Sequence, residues 1–272
     1  MMPPETGSKP FRFSVLRPIG GQAETVERQL ITETPVAIEY NGIGYAVMMA
    51  TPVDLEDFAI GFSLSEQLIN DAAEIEAVNC HRTEKGWILR IQLPPEKAEK
   101  VYARARQRFS ESSCGLCGMD NLDEVMRELP DVTAKLDVAD QAIFSALAGL
   151  REQQKLNTAT AAAHAAAFCA RDGSILILRE DVGRHNALDK VIGAIAQAGR
   201  TASTGFLLLT ARCSFELVQK AILANCPVLV TISAATDLAA ATAASNGLRL
   251  VSLARPDSAL SAFRQSDRSA SS

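Results

Sequence analysis

The second half of the chain alternates short apolar runs with helical patterns, and this alternation constrains the fold more than any other feature. Runs rich in Val, Ile and Leu predict strands over 205–210, 228–232 and 248–253. The segments beside them predict helices over 186–198, 214–224 and 237–245. Two further apolar runs, 163–170 and 175–178, flank a turn at 171–173 and are predicted to pair with each other. Apolar strands that alternate with helices are typical of a mostly parallel sheet with helices on both faces, so we predict an α/β domain.

The first half is strand-rich and predicts a smaller α+β domain. Asn41-Gly42 separates two β-prone runs, 35–40 and 43–49, and this dipeptide favours a hairpin turn. Thr51-Pro52 and Asp54 precede an amphipathic pattern and predict a helix over 55–69. The pattern continues with strands over 75–82 and 87–93 and a charged helix over 95–109.

These patterns place a domain boundary near Ser110. We therefore predict a disordered arm over 1–10 and an N-terminal α+β domain over 11–110. An α/β domain follows over 111–265, and a disordered tail over 266–272.

Composition excludes several classes of protein. The net charge of −5 and the pI of about 5.4 disfavour a general nucleic-acid binder, although they allow a local cationic pocket. The sequence has no apolar run near the roughly 20 residues that span a bilayer, and no signal-peptide pattern. Six cysteines without a dense framework fit a reducing compartment. We therefore expect a cytoplasmic protein that binds neither membrane nor nucleic acid.

Two cysteines stand two residues apart in the segment Ser112-Ser113-Cys114-Gly115-Leu116-Cys117-Gly118. The glycines permit a tight, exposed turn on which both thiols are accessible. Asp120 and Asp123 predict a helix start just downstream, and a helix N-terminus lowers the pKa of a nearby thiol. The segment is therefore a candidate site for sulfur chemistry or for a metal.

Four interpretations of Cys114 and Cys117 can be compared. A structural zinc site needs about four ligands, and apart from the adjacent Cys80-His81 the sequence offers no second ligand pair. A thioredoxin-like redox pair normally follows a strand, whereas this pair follows a charged helix. Inert core thiols would have apolar neighbours. A sulfur carrier that forms a persulfide best suits an exposed thiol of low pKa, and we predict no metal here.

The segment 180–190, Glu-Asp-Val-Gly-Arg-His-Asn-Ala-Leu-Asp-Lys, is the second candidate site. It lies at a strand-to-helix junction, and ligands bind at the carboxyl ends of strands in such sheets. Gly183 lets a ligand approach the backbone. The donors Arg184, His185, Asn186 and Lys190 suit a phosphate or a heteroaromatic ring. The alternative is an ordinary helix cap with a solvated charge cluster.

Two further residues are candidate ligand contacts. His164 stands among alanines, so it is either a packed core residue or a cofactor contact. Arg212 follows a predicted strand and can reach the same cleft, while Ser214 can cap the next helix. The remaining cysteines lie in or beside apolar elements and are predicted to act as small hydrophobic residues: Cys80, Cys169, Cys213 and Cys226.

Together these motifs resemble the family of formate dehydrogenase accessory sulfurtransferases (FdhD-type). The resemblance covers roughly 32–253 and rests on several ordered blocks: 33–36, 51–62, 113–118, 164–167, 180–190, and Arg212 with Ser214 and Glu216. It implies a cytidine-deaminase-like α/β domain with an accessory domain, in a homodimer.

The resemblance also implies a function. Members of the family take sulfur from the persulfide of a cysteine desulfurase and pass it to the molybdenum of bis-molybdopterin guanine dinucleotide, which then matures formate dehydrogenase. Cys114 would carry the persulfide and Cys117 would assist. The guanine nucleotide, with GDP as a probe that mimics it, would bind the loop formed by Leu253, Ala254, Arg255, Pro256, Asp257 and Ser258.

The implied fold raises deamination as an alternative, which the sequence disfavours. A zinc deaminase needs His-x-Glu and Pro-Cys-x-x-Cys, but Ala166 stands where the glutamate should be and Ser113 where the proline should be. Two rivals to sulfur transfer remain: a molybdenum-cofactor chaperone that handles no sulfur, and a dithiol redox protein.

Overall fold

The computed structural model describes residues 7–18, 24–110 and 126–262. The first half contains β1 (Ser8–Ser14), β2 (Thr25–Ile31), β3 (Thr34–Tyr40), β4 (Ile43–Ala50), α1 (Leu55–Ser65), β5 (Ala77–Arg82), β6 (Trp87–Gln92) and α2 (Pro95–Ser110). The second half contains α3 (Asp140–Gln153), α4 (Lys155–Thr160), β7 (His164–Ala170), β8 (Ile175–Asp181), α5 (Arg184–Gln197), β9 (Gly205–Leu209), α6 (Phe215–Leu223), β10 (Val228–Thr231), α7 (Asp237–Ser245), β11 (Arg249–Ser252) and β12 (Leu260–Ser261). Among the described residues, no helix is both long enough and apolar enough to cross a bilayer.

The N-terminal half is built on a four-stranded sheet in the order β4-β3-β6-β5. The predicted hairpin is confirmed: Asn41 and Gly42 both have positive φ angles, 50° and 82°, as a two-residue hairpin turn requires. The Asn41 side chain also donates to the carbonyl of Leu93 and accepts from its amide, each at 2.8 Å. Helix α1 covers one face of the sheet through buried aliphatic and aromatic residues that include Val36, Ile38, Phe58 and Phe62.

The second half is built on a six-stranded sheet in the order β12-β11-β10-β9-β7-β8. Helices cover both faces, as predicted: α5, α6 and α7 pack on one face and α3 on the other. The prediction of a mostly parallel sheet is wrong, because only two of the five strand pairs, β9–β10 and β10–β11, are parallel. Strand β7 is antiparallel to β8 and β9, and β12 is antiparallel to β11. An apolar run shows that both faces of a strand are covered, but it does not show the direction of the strand.

The prediction of a disordered arm over 1–10 is also wrong for residues 8–10. Ser8–Ser14 form β1, which pairs with β2 in an antiparallel two-stranded sheet. Gly7 lies against the side chains of Thr51, Val53 and Leu156, and helix α4 packs beside β2. These partners are distant in sequence, so local composition did not reveal them. The predicted tail, 266–272, lies outside the described residues.

The two halves meet where α1 crosses α5. A Cβ atom added to Gly61 would lie 1.7 Å from the carbonyl oxygen of Asp189, and one added to Gly193 would lie 1.9 Å from that of Asp57. The two helix backbones therefore touch, and only glycine fits at these positions. The crossing holds the four-stranded sheet and the six-stranded sheet in one fixed relation.

We predict that Gly61→Ala lowers the free energy of unfolding by about 2–3 kcal/mol, because the new methyl group forces the two helices apart. Gly149→Ala is the matched control, since a Cβ at this helical glycine would meet only Ile175 at 3.9 Å. The control should be neutral or should stabilise the protein by up to about 1 kcal/mol through helix propensity. Urea denaturation measures both, and equal effects would contradict the close crossing.

Candidate active site

The predicted site residues lie at one edge of the six-stranded sheet. Strands β9, β10 and β11 run parallel and end at this edge. Because β7 is antiparallel to both β8 and β9, its first residue, His164, lies at the same edge and pairs with Asp181, the last residue of β8. Arg184 and His185, Arg212, and the loop 253–258 follow strands that end here. The structure thus places His164, Arg184, His185, Arg212 and the loop 253–258 along one edge.

Hydrogen bonds join the turns that follow neighbouring strands. The Ala165 amide donates to Thr210 Oγ1 at 2.9 Å, and the Thr210 amide donates to the Ala165 carbonyl at 3.0 Å. The Cys213 amide donates to the Ala234 carbonyl at 3.0 Å, and the Leu253 amide donates to the Ser233 carbonyl at 3.2 Å. The edge is therefore a continuous and connected surface.

His185, at the start of α5, contacts the start of α6. Its Nε2 atom lies 2.7 Å from Glu216 Oε2 and 3.5 Å from Ser214 Oγ. A histidine that donates from Nε2 to a carboxylate leaves Nδ1 as an acceptor. Ser214 occupies the N-cap position, as predicted, but its side chain makes no capping hydrogen bond.

Both histidines at this edge are held in the neutral form. The pKa of His185 is lowered to about 4, mainly by burial and also by the positive charges of Arg184 and Lys220, while Glu216 opposes this effect. Burial and the charge of Arg184 likewise lower the pKa of His164. At neutral pH these imidazoles therefore offer uncharged hydrogen-bonding groups beside a cationic guanidinium.

The edge suits an anionic ligand. Helices α5 and α6 both begin here, at the N-cap residues Gly183 and Ser214, and neither cap is closed by a side chain. Free amide groups at helix N-termini attract phosphates. Arg184 is half-buried and Arg212 is exposed, and neither has an ion-pair partner within the described part of the chain. Two guanidinium groups and two open helix N-termini can together bind phosphate groups.

Two of the donors predicted from the segment 180–190 are not available to a ligand. Lys190 is completely buried, and its Nζ atom lies 2.6 Å from Asp181 Oδ2 and 2.9 Å from the carbonyl oxygen of Thr51. Asn186 is also buried and donates to the carbonyl of Met49 at 2.8 Å and to Asp181 at 3.0 Å. Both side chains join α5 to the end of β4. In the sequence, only their position beside the apolar residues of a predicted helix indicated that these two side chains would be buried.

The loop 253–258 lies some distance from the histidines. Strands β10, β9 and β7 separate β11 from β8, so the ends of β11 and β8 are about 19 Å apart at the usual strand spacing. Within the loop, the Arg255 amide donates to the Ser258 carbonyl at 2.7 Å, and Leu253 has a positive φ of 50°. A ligand that contacts the turns after both strands must therefore be long, as a dinucleotide is.

The thiols fall into two groups. Cys114 and Cys117 lie outside the described residues. Burial raises the pKa of Cys169, Cys213 and Cys226 to about 12 in each case, so these three are core residues, as predicted. Cys80 is more exposed than predicted, on strand β5, but partial burial of its thiol and the charge of Glu56 raise its pKa to about 11. None of these four is an activated thiol.

Comparison with known proteins identifies the class to which this fold and site belong. Residues 31–269 match the model of the FdhD/NarQ family, and the chain belongs to this family. The sulfur carrier protein FdhD of Xanthomonas axonopodis pv. citri is 44% identical over 242 residues, which cover 89% of this chain and 86% of that protein. The sulfur carrier protein FdhD of Variovorax paradoxus is 43% identical over 225 residues, covering 83% and 81%.

A crystal structure assigned to a formate dehydrogenase accessory protein from Desulfotalea psychrophila has the same fold. Its TM-score is 0.75 at 24% sequence identity, and the match covers 95% of this chain and 98% of that one. The family resemblance read from the sequence motifs is thereby confirmed.

We predict that His185 titrates well below the ordinary histidine value of 6.5, towards about 4, because the folded protein disfavours its charged form. The unfolded state then binds a proton that the folded state does not, so stability falls as the pH drops from about 6.5 to about 4. NMR titration of the imidazole measures the pKa, and His185→Gln assigns the signal and should flatten the stability profile in this range. A pKa of 6.5 or higher would contradict the assignment.

Proposed function

We propose that this chain is a sulfur carrier and sulfurtransferase that takes sulfur from the persulfide of a cysteine desulfurase and delivers it to the molybdenum of bis-molybdopterin guanine dinucleotide. The sulfurated cofactor would then mature formate dehydrogenase. We further propose that the protein acts in the cytoplasm as a homodimer. The names of its relatives support the sulfur-carrier role.

The observation that carries this proposal is the complete burial of Cys169, Cys213 and Cys226, which withdraws these thiols from any partner. A sulfur carrier attacks as a thiolate, and a thiol of pKa 11 or more is ionised in roughly one molecule in ten thousand or fewer at neutral pH. Four of the six cysteines have pKa values raised to about 11 or about 12. This supports Cys114 and Cys117 as the thiols that would carry sulfur.

Sulfur uptake is then a thiol-exchange step. The Cys114 thiolate attacks the terminal sulfur of the donor persulfide, the donor S–S bond breaks, and the donor cysteine leaves as a thiolate. Cys114 becomes a persulfide, and the net oxidation state of sulfur across the pair is unchanged. Cys117 assists as the second thiol of the motif.

The acceptor would bind along the edge of the six-stranded sheet. Arg184 and Arg212, with the open N-termini of α5 and α6, suit the pyrophosphate of the nucleotide. The loop 253–258 would hold guanine, and His164 and His185 would contribute neutral hydrogen-bonding groups between these ends. Molybdenum enters as part of the substrate.

We predict that incubation with a cysteine desulfurase and cysteine adds one cyanide-labile sulfur atom to the wild-type chain, measured by mass spectrometry of the intact protein. Cys114→Ala should abolish this gain, because it removes the attacking thiolate. Cys80→Ala is the matched control, since Cys80 is the exposed thiol with a raised pKa, and it should leave the gain unchanged.

Sulfur on Cys114→Ala, or none on the wild type, would exclude Cys114 as the carrier. Absence of sulfur gain with retained nucleotide binding would favour a cofactor chaperone. Formation of an internal disulfide that needs both Cys114 and Cys117, without added sulfur, would favour a dithiol redox protein.

We predict that GDP binds the sheet edge and that Arg184→Gln and Arg212→Gln each weaken it about tenfold, the effect of losing one charge-assisted hydrogen bond. Isothermal titration calorimetry measures the dissociation constants. Arg151→Gln changes an exposed arginine at the end of α3 and should have no effect. Equal binding by all three variants would place GDP elsewhere.

A further inference from the structure

A cavity lies away from the sheet edge. It has a volume of about 450 Å³ and is lined by residues at the C-terminal ends of α1, α5 and α6. The predicted site, in contrast, lies at the N-terminal ends of α5 and α6, so the two are at opposite ends of the same helices. A cavity of this size is typical of small-molecule sites.

One wall of the cavity is apolar. It is formed by aliphatic side chains from α1 and the segment after it, from α5 and from α6: Leu64, Ile69, Ile192, Ile195 and Leu223. Ile69, Ile192 and Ile195 are buried in the cores of the two halves, so the wall is rigid. This wall can take the hydrocarbon part of a ligand.

Two cations line the same cavity. The Lys220 ammonium contacts both oxygens of Asp189, each at 2.7 Å, and Ser65 donates to the same carboxylate at 2.6 Å. An ammonium has three hydrogens, so one remains for a ligand. Arg200 is exposed at the cavity and forms no ion pair within the described part of the chain. Its guanidinium can bind a carboxylate through two parallel hydrogen bonds.

The acidic groups near the cavity are already engaged. Asp189 is fully buried and is held by Lys220 and Ser65. Asp71 accepts a hydrogen bond from the Ala73 amide at 2.8 Å and caps the short 3-10 helix Ala72–Glu74. The hydrogen bond does not remove the negative charge of the exposed Asp71 carboxylate, so the groups that can bind an anion are Arg200 and the third ammonium hydrogen of Lys220, and they face an aliphatic wall.

We propose that this cavity binds a short aliphatic carboxylate. Its chain packs against the leucine and isoleucine wall, and its carboxylate pairs with Arg200 and the third ammonium hydrogen of Lys220. The described residues that line the cavity include none of the sheet edge, so this site is distinct from the proposed nucleotide site.

The test titrates the full-length chain with hexanoate at pH 7 and follows backbone amide signals by NMR, with hexylamine and hexan-1-ol as controls. Hexanoate should saturate with a dissociation constant in the millimolar range and should shift amides around the cavity. Both controls should bind at least tenfold more weakly, because the cations repel the ammonium group of hexylamine and hexan-1-ol has no negative charge.

Two variants locate the site. Arg200→Gln removes the exposed cation and should weaken hexanoate binding about tenfold. Ala196→Phe fills the cavity from α5 and should abolish binding. Arg151→Gln is the matched control and should bind like the wild type. Lys220 is left in place, because its removal would leave the buried Asp189 carboxylate unpaired.

Absence of saturable hexanoate binding would overturn the proposal. So would tighter binding of hexylamine, or full binding by Arg200→Gln. Arg200→Gln changes only an exposed side chain, so it decides the question even if Ala196→Phe does not fold. All these variants should still accept sulfur on Cys114, so failure here is distinguishable from failure of the sulfur-carrier proposal.

Discussion

The contact between α1 and α5 is the constraint on which the rest of the structure depends. Gly61 and Gly193 let the two backbones touch, and charged side chains then join the two halves across this contact. Lys190 binds Asp181 and the Thr51 carbonyl, and Arg179 binds Asp57 at 2.6 Å. Burial lowers the pKa of Lys190, and the charge of Asp181 and its hydrogen bond with Lys190 oppose this effect. Breaking such a pair by removing one partner typically costs about 3–5 kcal/mol.

This junction also sets the geometry of the candidate site. Asp181 ends β8 beside His164, and the Asp181 carboxylate accepts from the amides of Thr51 and Gly183 at 3.0 Å and 2.7 Å. The first turn of α5, with Arg184 and His185, is thereby held at the sheet edge. The segment 180–190 thus has two roles, because its buried half joins the two parts of the protein and its half-buried residues face the ligand edge.

Helices α5 and α6 connect the two sites through two successive side-chain contacts, a hydrogen bond from neutral His185 and then an ion pair. His185 contacts Glu216 at 2.7 Å, and one turn further along Asp189 contacts Lys220 at 2.7 Å. The positive charge of Lys220 contributes to the lowered pKa of His185. An anion bound at Lys220 would offset part of this charge, so the two ends of the helix pair are electrostatically coupled.

The local sequence pattern was sufficient to predict most of the helices, strands and turns. The Asn41-Gly42 hairpin, the helices on both faces of the second sheet and the core character of Cys169, Cys213 and Cys226 were all readable from the sequence, because turn chemistry and apolar periodicity act over a few residues. The motif Cys114-x-x-Cys117 and the family were equally readable. Strand direction, the pairing of Ser8–Ser14 with β2 and the burial of Lys190 and Asn186 were decided only by the tertiary structure. These features depend on which distant segments meet in the fold. The sequence around a charged side chain does not show whether its partner is water, a ligand or a buried carboxylate.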